Sequence, residues 1–133
     1  MARALSVDSS FLIDLERERR RTETGPAHRF LRREGDAELC IAAIALGELM
    51  EGYADPDHPV LWSMRRGHRV LSADEEVAVT YGHIARELRA RGSLIGVNDL
   101  WIAATSLHHA LPLVTSNVDH FTRVSGLEII EYR

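Results

Sequence analysis

The sequence has no lysine. Its 133 residues include 16 basic residues, all arginine, and 20 acids, for a net charge of −4. A chain that is negative overall has no bulk nucleic-acid footprint, so any contact with a polyanion must come from a local patch. Arginine favours flat, bidentate contact with carboxylates and phosphates, although a GC-rich genome would give the same bias. Cysteine is almost absent too. The single Cys40 excludes an internal disulfide framework and a cysteine-built zinc site. Its setting, Leu39-Cys40-Ile41-Ala42-Ala43, reads as a buried core thiol. Aromatic residues make up only 6%, which argues against single-strand binding by base stacking. Trp62 and Trp101 sit among apolar neighbours and are expected in the core. No apolar run approaches the ~20 residues of a membrane span, and Asp8 comes too early for a signal peptide. The expectation is a cytoplasmic protein with no membrane partner. Neither a Walker A motif nor a Gly-x-Gly-x-x-Gly is present, which weakens nucleotide-cofactor readings.

What is present has globular proportions, with 45% hydrophobic and 27% charged residues. One domain over residues 1–133 is expected. Short apolar strands are predicted at Ala4–Val7, Leu39–Ala43, Arg69–Leu71, Pro112–Thr115 and Leu127–Tyr132. Between them the apolar spacing is helical. A first helix carries Phe11, Leu12 and Leu15 and ends in a charged, solvated tail from Glu16 to Arg21. A second starts at Thr24-Gly25-Pro26, with Pro26 in the first turn, and ends at Gly35-Asp36. Further helices cover Leu46 to Tyr53, Val60 to Arg66, and a long segment capped by Ser72 with Glu75 in capping-box spacing. That segment runs to Arg91 and closes at Gly92. Asn98 is expected to cap a largely apolar helix from Asp99 to His109, and Asp119 to Arg123 to form one turn. Alternating strands and helices predict an α/β fold whose central sheet is mainly parallel and flanked by helices. Ligands bind such sheets at the carboxyl ends of the strands.

Three acids do not behave like surface acids. Asp8 ends the first strand, Glu48 interrupts the apolar helix of Ile44, Leu46, Leu49 and Met50, and Asp99 opens the most apolar helix. Asn117 follows a strand directly. All four should lie on the carboxyl edge of the sheet. Three carboxylates at close range repel one another unless a cation neutralises them. Oxygen donors without His or Cys favour Mg²⁺ or Mn²⁺, and such ions serve phosphodiester cleavage. Taken one at a time, Asp8 reads equally as a turn former or helix cap, Asp99 as a first-turn acid favoured by the helix dipole, and Glu48 as a solvated residue.

These segments resemble the motifs of PIN-domain nucleases. The first is Asp8-Ser9-Ser10-Phe11-Leu12-Ile13-Asp14 and the second Ala45-Leu46-Gly47-Glu48-Leu49-Met50-Glu51-Gly52. The third, Asn98-Asp99-Leu100-Trp101-Ile102-Ala103-Ala104, is the most specific. The fourth is Leu113-Val114-Thr115-Ser116-Asn117-Val118-Asp119-His120-Phe121. Four in order cover nearly the whole chain, and the length suits the VapC toxins of toxin–antitoxin pairs. The resemblance implies a PIN-like three-layer fold and an endoribonuclease dependent on Mg²⁺ or Mn²⁺. It implies a metal held by Asp8, Glu48 and Asp99, with Asn117 at the fourth catalytic position and Ser9 and Thr115 in support. Glu48 would help position the attacking water, and the products would carry a 5′-phosphate and a 3′-hydroxyl. Many family members have an acid where Asn117 stands; Asp119, two residues on, fits less well by spacing. The implied partners are RNA, a small cognate antitoxin and a second copy of the chain.

Arg19, Arg20, Arg29 and Arg32 are the candidate phosphate contacts, although interleaved glutamates can pair with them on a solvated face. The seven His show no metal-ligand spacing; His120, beside the proposed site, is the one of interest. Two rival classes fit the sequence less well. A receiver-like signalling domain needs a late Lys and an Asp ending the third strand, whereas this chain has no Lys and has Ser72 after Leu71. A PIN-like RNA-binding or scaffold module with little catalysis is disfavoured by the three retained acids.

Overall fold

Strands and helices alternate along the chain, and the computed structural model describes them over residues 3–133. In order they are β1 (Ala4–Val7), α1 (Ser9–Arg21), α2 (Pro26–Glu34), β2 (Glu38–Ala42), α3 (Ala43–Met50) and α4 (Pro59–Gly67). Then come β3 (Arg69–Leu71), α5 (Glu75–Ala90), α6 (Val97–His108), β4 (Leu113–Thr115), α7 (Val118–Phe121) and β5 (Ile129–Glu131). The described strands form one sheet in the order β3-β2-β1-β4-β5, and every neighbouring pair is parallel. Parallel pairing needs a crossover between strands, and the helices supply it. Leu5 pairs with Leu39 and Val7 with Ile41, while Val7 pairs with Val114 on the other side. These residues are apolar in succession because helices cover the sheet; Leu5, Val7, Ile41, Leu113 and Val114 have no exposed surface. Each contributes about 1.5–3 kcal/mol of burial. The helices pack on one another as well, α1 on α2 and α3, and α5 on α6.

The strand order reverses at β1. The chain runs outward from β1 to β2 and β3, then returns to β4 on the opposite side of β1. The crevice at the carboxyl ends of β1 and β4 is therefore the topological switch point, where ligands of such sheets bind. Asp8 directly follows β1, and Ser116-Asn117 directly follow β4. Among the described residues no helix is long and apolar enough to cross a membrane.

Several local expectations are corrected. The cap of α5 is Asp74, not Ser72: its side chain accepts from the Val77 N–H at 3.0 Å. Two acids, Glu75 and Glu76, then fill the first turn, where the helix dipole favours negative charge. Asn98 lies inside α6, whose cap is Gly96 without a side-chain bond. Ala43 leaves the second strand and opens α3. Trp62 is 40% exposed rather than in the core, with the guanidinium groups of Arg65 and Arg66 over its ring at 5.2 and 4.9 Å. Trp101 is half-buried and stacked on Tyr81 at 4.2 Å. Cys40 is buried as expected.

The tail of α1 is solvated on its arginines, Arg17, Arg19, Arg20 and Arg21, but not on its acids. Asp14, Glu16 and Glu18 are buried, at 7%, 4% and 6% exposure. Arg19 forks onto Glu16 with two bonds of 2.8 Å. The Glu18 carboxylate reaches the start of α2, accepting from the N–H groups of Gly25, Ala27 and His28. It is thus the N-terminal cap that Gly25, lacking a side chain, cannot provide. A Cβ at position 25 would collide with this carboxylate, so glycine is required by close approach.

Candidate active site

Asp8 is both a helix cap and a site residue. Its backbone is extended and its Oδ1 accepts from the Phe11 N–H at 3.1 Å, which starts α1. Oδ1 also accepts from the Ser10 hydroxyl at 2.6 Å, and Oδ2 from the Thr115 hydroxyl at 2.5 Å. The hydroxyl of the first motif that meets Asp8 is therefore Ser10, not Ser9: Ser9 is the first residue of α1, and Ser10 the one whose side chain turns back to the cap. Thr115 receives the Asn117 N–H at 2.8 Å and so links the end of β4 to Asp8. Burial raises the pKa of Asp8 above the ordinary carboxylate value; hydrogen bonds from Ser10, Thr115 and Phe11 oppose the shift, and the nearby Asp99 charge adds to it.

Asp99 stands in the first turn of α6 and is half-buried. His120 Nδ1 lies 2.9 Å from its Oδ2 and 2.9 Å from Asn117 Nδ2. The ring nitrogen can give a proton to the first or accept one from the second, not both at once. Asn117 Nδ2 also approaches Asp99 Oδ2 at 3.4 Å. Asn117, His120 and Asp99 thus form one polar triangle. Asp119 is exposed, and its backbone oxygen, accepting from Thr122, makes its one recorded hydrogen bond beyond the helix.

Glu48 completes the edge. It lines an open depression of about 420 Å³ with Gly96, Val97, Asn98 and Asp99. It also lines a groove of about 480 Å³ with Ile13, Glu16, Arg20, Leu49, Gly52, Tyr53 and His58. Its Oε1 is buried and has no hydrogen-bond partner. An orphaned buried carboxylate oxygen is costly, so this atom fits a missing positive ligand. The donor set is carboxylate oxygen, the chemistry of a hard cation. Among the described residues no three His, Cys, Asp or Glu side chains already enclose a metal site; the acids border a common edge without forming a closed cage.

Of the arginines named from sequence, Arg19 and Arg20 approach Glu16, at 2.8 and 3.8 Å. Arg29 donates to the Thr24 carbonyl at 2.9 Å, and Arg32 is exposed on α2. Sequence reasoning missed Ser10 and the contact between His120 and Asp99. Ser10 lies within the first motif, one position after Ser9.

An open parallel α/β sheet with acids at its switch-point crevice is the setting of this site, and the chain belongs to the PIN-domain family: the PIN domain model matches residues 5–127. Within it, the chain is 34% identical over 128 residues to Ribonuclease VapC1 of Methanocaldococcus jannaschii, covering 94% of this chain and 85% of that protein. Its fold is similar to the crystal structure of VapBC2 from Rickettsia felis bound to a DNA fragment from their promoter, with a TM-score of 0.84 at 20% identity over 98% of this chain and 99% of that one. It is also similar to a toxin–antitoxin complex from Klebsiella pneumoniae, with a TM-score of 0.70 at 22% identity over 95% of each chain. Family membership implies use of a divalent metal.

Proposed function

We propose that the chain is a Mg²⁺- or Mn²⁺-dependent endoribonuclease and the toxin of a toxin–antitoxin pair, working in the cytoplasm. One observation carries this reading: the buried, partnerless Glu48 oxygen in a depression shared with Asp99, which Asn117 and Thr115 link to Asp8. The relative named Ribonuclease VapC1 supports the activity, and the likeness to a toxin–antitoxin complex supports the partner.

Asp8, Glu48 and Asp99 would hold the ion. When bound, a divalent cation polarises a phosphate oxygen and eases water deprotonation near neutral pH. The chain's own residues supply the rest. Ser10, Thr115 and the Phe11 N–H fix both Asp8 oxygens, so this carboxylate needs little reorganisation. Asn117 and His120 hold Asp99 from one side. Glu48 helps position the attacking water, whose proton passes to solvent. The bond from phosphorus to the 3′-oxygen breaks, and that oxygen takes up a proton from solvent, leaving a 5′-phosphate and a 3′-hydroxyl. Asn117 is neutral and contributes alignment rather than charge. Arg29 and Arg32 are the arginines available for RNA phosphates, because Arg19 and Arg20 serve Glu16. A small antitoxin covers the acid edge, and the toxin is a homodimer.

The test is cleavage of structured RNA with Mg²⁺ or Mn²⁺ and again in excess chelator. Activity should require the metal and disappear in Asp99→Asn. Full activity in chelator would overturn the mechanism. A monomer by light scattering that ignores a co-expressed protein encoded immediately upstream would overturn the assembly.

A further inference from the structure

His120 meets the acid edge through its ring, and the contacts there conflict. It sits in α7, the short helix directly after Asn117, and the fully buried Phe121 beside it pins that turn to the core. The ring is thereby held against the first turn of α6. Its Nδ1 lies 2.9 Å from Asp99 Oδ2 and 2.9 Å from Asn117 Nδ2, and Asn117 Nδ2 lies 3.4 Å from Asp99 Oδ2. Side-chain exposures of 44% at His120 and 24% at Asp99 leave the pair open to an ion from solvent.

Three such contacts cannot all be hydrogen bonds. The Asn117 amide nitrogen only donates, so it calls for a lone pair on Nδ1. That lone pair then faces the Asp99 oxygen at 2.9 Å, and two acceptors so close repel. Placing the ring proton on Nδ1 satisfies Asp99 but sets two donors against each other at Asn117. Turning the Asn117 amide over relieves that clash and instead sets its oxygen against the carboxylate at 3.4 Å. Each arrangement of the protons leaves one conflict, and a cation held between Nδ1 and Oδ2 removes it. Neighbouring ligands of an octahedral ion with bonds of about 2.1 Å lie about 3 Å apart, close to the 2.9 Å between these two atoms. The bare Glu48 oxygen, from a side chain that borders the same depression as Asp99, is a further unsatisfied donor atom for such an ion.

We propose that His120 is a nitrogen ligand of the divalent cation, binding it through Nδ1 beside Asp99 Oδ2, and that it tilts the site toward a transition ion such as Mn²⁺ over Mg²⁺. Mg²⁺ is bound mostly through oxygen, whereas imidazole suits first-row transition metals. This rests on the reading of that edge as a divalent-cation site.

The test is pulsed electron paramagnetic resonance on the Mn²⁺-loaded full chain without RNA, which reads nitrogen nuclei bound directly to the ion. Wild type should show a nitrogen coupling that changes when histidine alone is isotopically labelled. His120→Gln should lose that coupling and bind Mn²⁺ several-fold more weakly, while Mg²⁺ affinity, read by competition, stays the same. A residue that merely positions Asp99 would give another pattern: no nitrogen coupling in wild type, and equal losses for the two ions of roughly tenfold or more. That pattern overturns the proposal. His58 is the control, because it lines the neighbouring groove with Glu48. Its Nδ1 is already used, accepting the Val60 N–H at 3.1 Å. His58→Asn, which keeps a good helix cap, should retain the coupling; loss there would assign the nitrogen to His58 and overturn the proposal. If His120→Gln does not fold, labelled wild type together with His58→Asn decides the matter. If wild type binds no Mn²⁺, the cation-site reading falls and this proposal with it. Mn²⁺ binding without a nitrogen coupling sinks the ligand role alone.

Discussion

Asp14, Glu16 and Glu18 on α1 are about as deeply buried as Asp8, yet their surroundings differ from those of the acid edge. Each α1 acid meets cationic or N–H partners: Arg17 and Arg133 at Asp14, Arg19 at Glu16, and the start of α2 at Glu18. At the edge no arginine reaches Asp8, Glu48 or Asp99 among the ion pairs of the described residues, and one Glu48 oxygen has no partner at all. Glu18 and Asp8 are shifted in opposite directions. Burial pushes Glu18 up, but the hydrogen bonds from His28 and Ala27 outweigh it and hold Glu18 below its ordinary value. Burial dominates at Asp8 and raises it. A buried acid whose donors outweigh its desolvation, as at Glu18, is part of the fold's architecture, while an edge where desolvation still dominates Asp8 and one Glu48 oxygen is bare suits a cation.

The largest expected effect that would sharpen this contrast is catalytic. Asp99→Asn should lower RNA cleavage by roughly 100-fold or more, the loss of several kcal/mol of metal-linked stabilisation. The metal-free fold should keep or gain stability, because one of two repelling charges is gone. An active, destabilised variant would make Asp99 an ordinary first-turn acid. On the other side, Glu18→Ala strips the start of α2 of its acceptor and should cost about 2 kcal/mol in a denaturant melt. Cleavage at saturating metal should persist. A neutral Glu18→Ala would break the comparison from the structural side.

The opposite shifts of Glu18 and Asp8 give a third, smaller effect. Glu18 is depressed when folded, so its stabilisation is present above its unfolded value of 4.5 and is lost as pH falls through the lower folded value. Asp8 is raised, so its ionisation opposes folding above the folded value. That penalty is relieved as pH falls toward its unfolded 3.8. In chelator, Glu18→Gln should therefore flatten the acid limb of the stability profile, whereas Asp8→Asn should remove a stabilisation gained on acidification. Melting temperatures measured across that pH range would show both slopes; equal slopes would remove the distinction. Smallest of all, Arg19→Ala should cost ~1 kcal/mol by unpairing a buried carboxylate without weakening RNA binding. Arg32→Ala should weaken binding modestly and reduce its salt dependence. Filter binding over a salt series separates them.

Much of this contrast could be seen in the sequence on one side and almost none on the other. Asp8, Glu48 and Asp99 stood out because each broke an apolar pattern, and the alternation of strand and helix put them on one edge. The buried acids of α1 sat in a run of charges that reads as solvent-facing. Their partners are remote or depend on tertiary geometry: Tyr132 is 118 residues from Asp14, and Gly25, Ala27 and His28 meet Glu18 only once α2 has turned back. Helix periodicity cannot report a partner that far away. The strand order, with β1 between β2 and β4, was likewise not written in local pattern. Two caps lie two residues before or after the expected position: at α5 both Ser72 and Asp74 qualify by type, and at α6 Gly96 caps with no side chain to signal it.

The central claim is that the edge of Asp8, Glu48 and Asp99 is a site for a divalent cation. Thermal melts with and without Mn²⁺, on wild type and Asp99→Asn, test it most directly. A ligand that binds only the folded state raises the melting temperature as its concentration rises. Mn²⁺ should stabilise wild type in this way and leave Asp99→Asn unmoved, while Asp99→Asn in chelator melts no lower than wild type. An Asp99→Asn protein stabilised by Mn²⁺ as strongly as wild type would contradict the account.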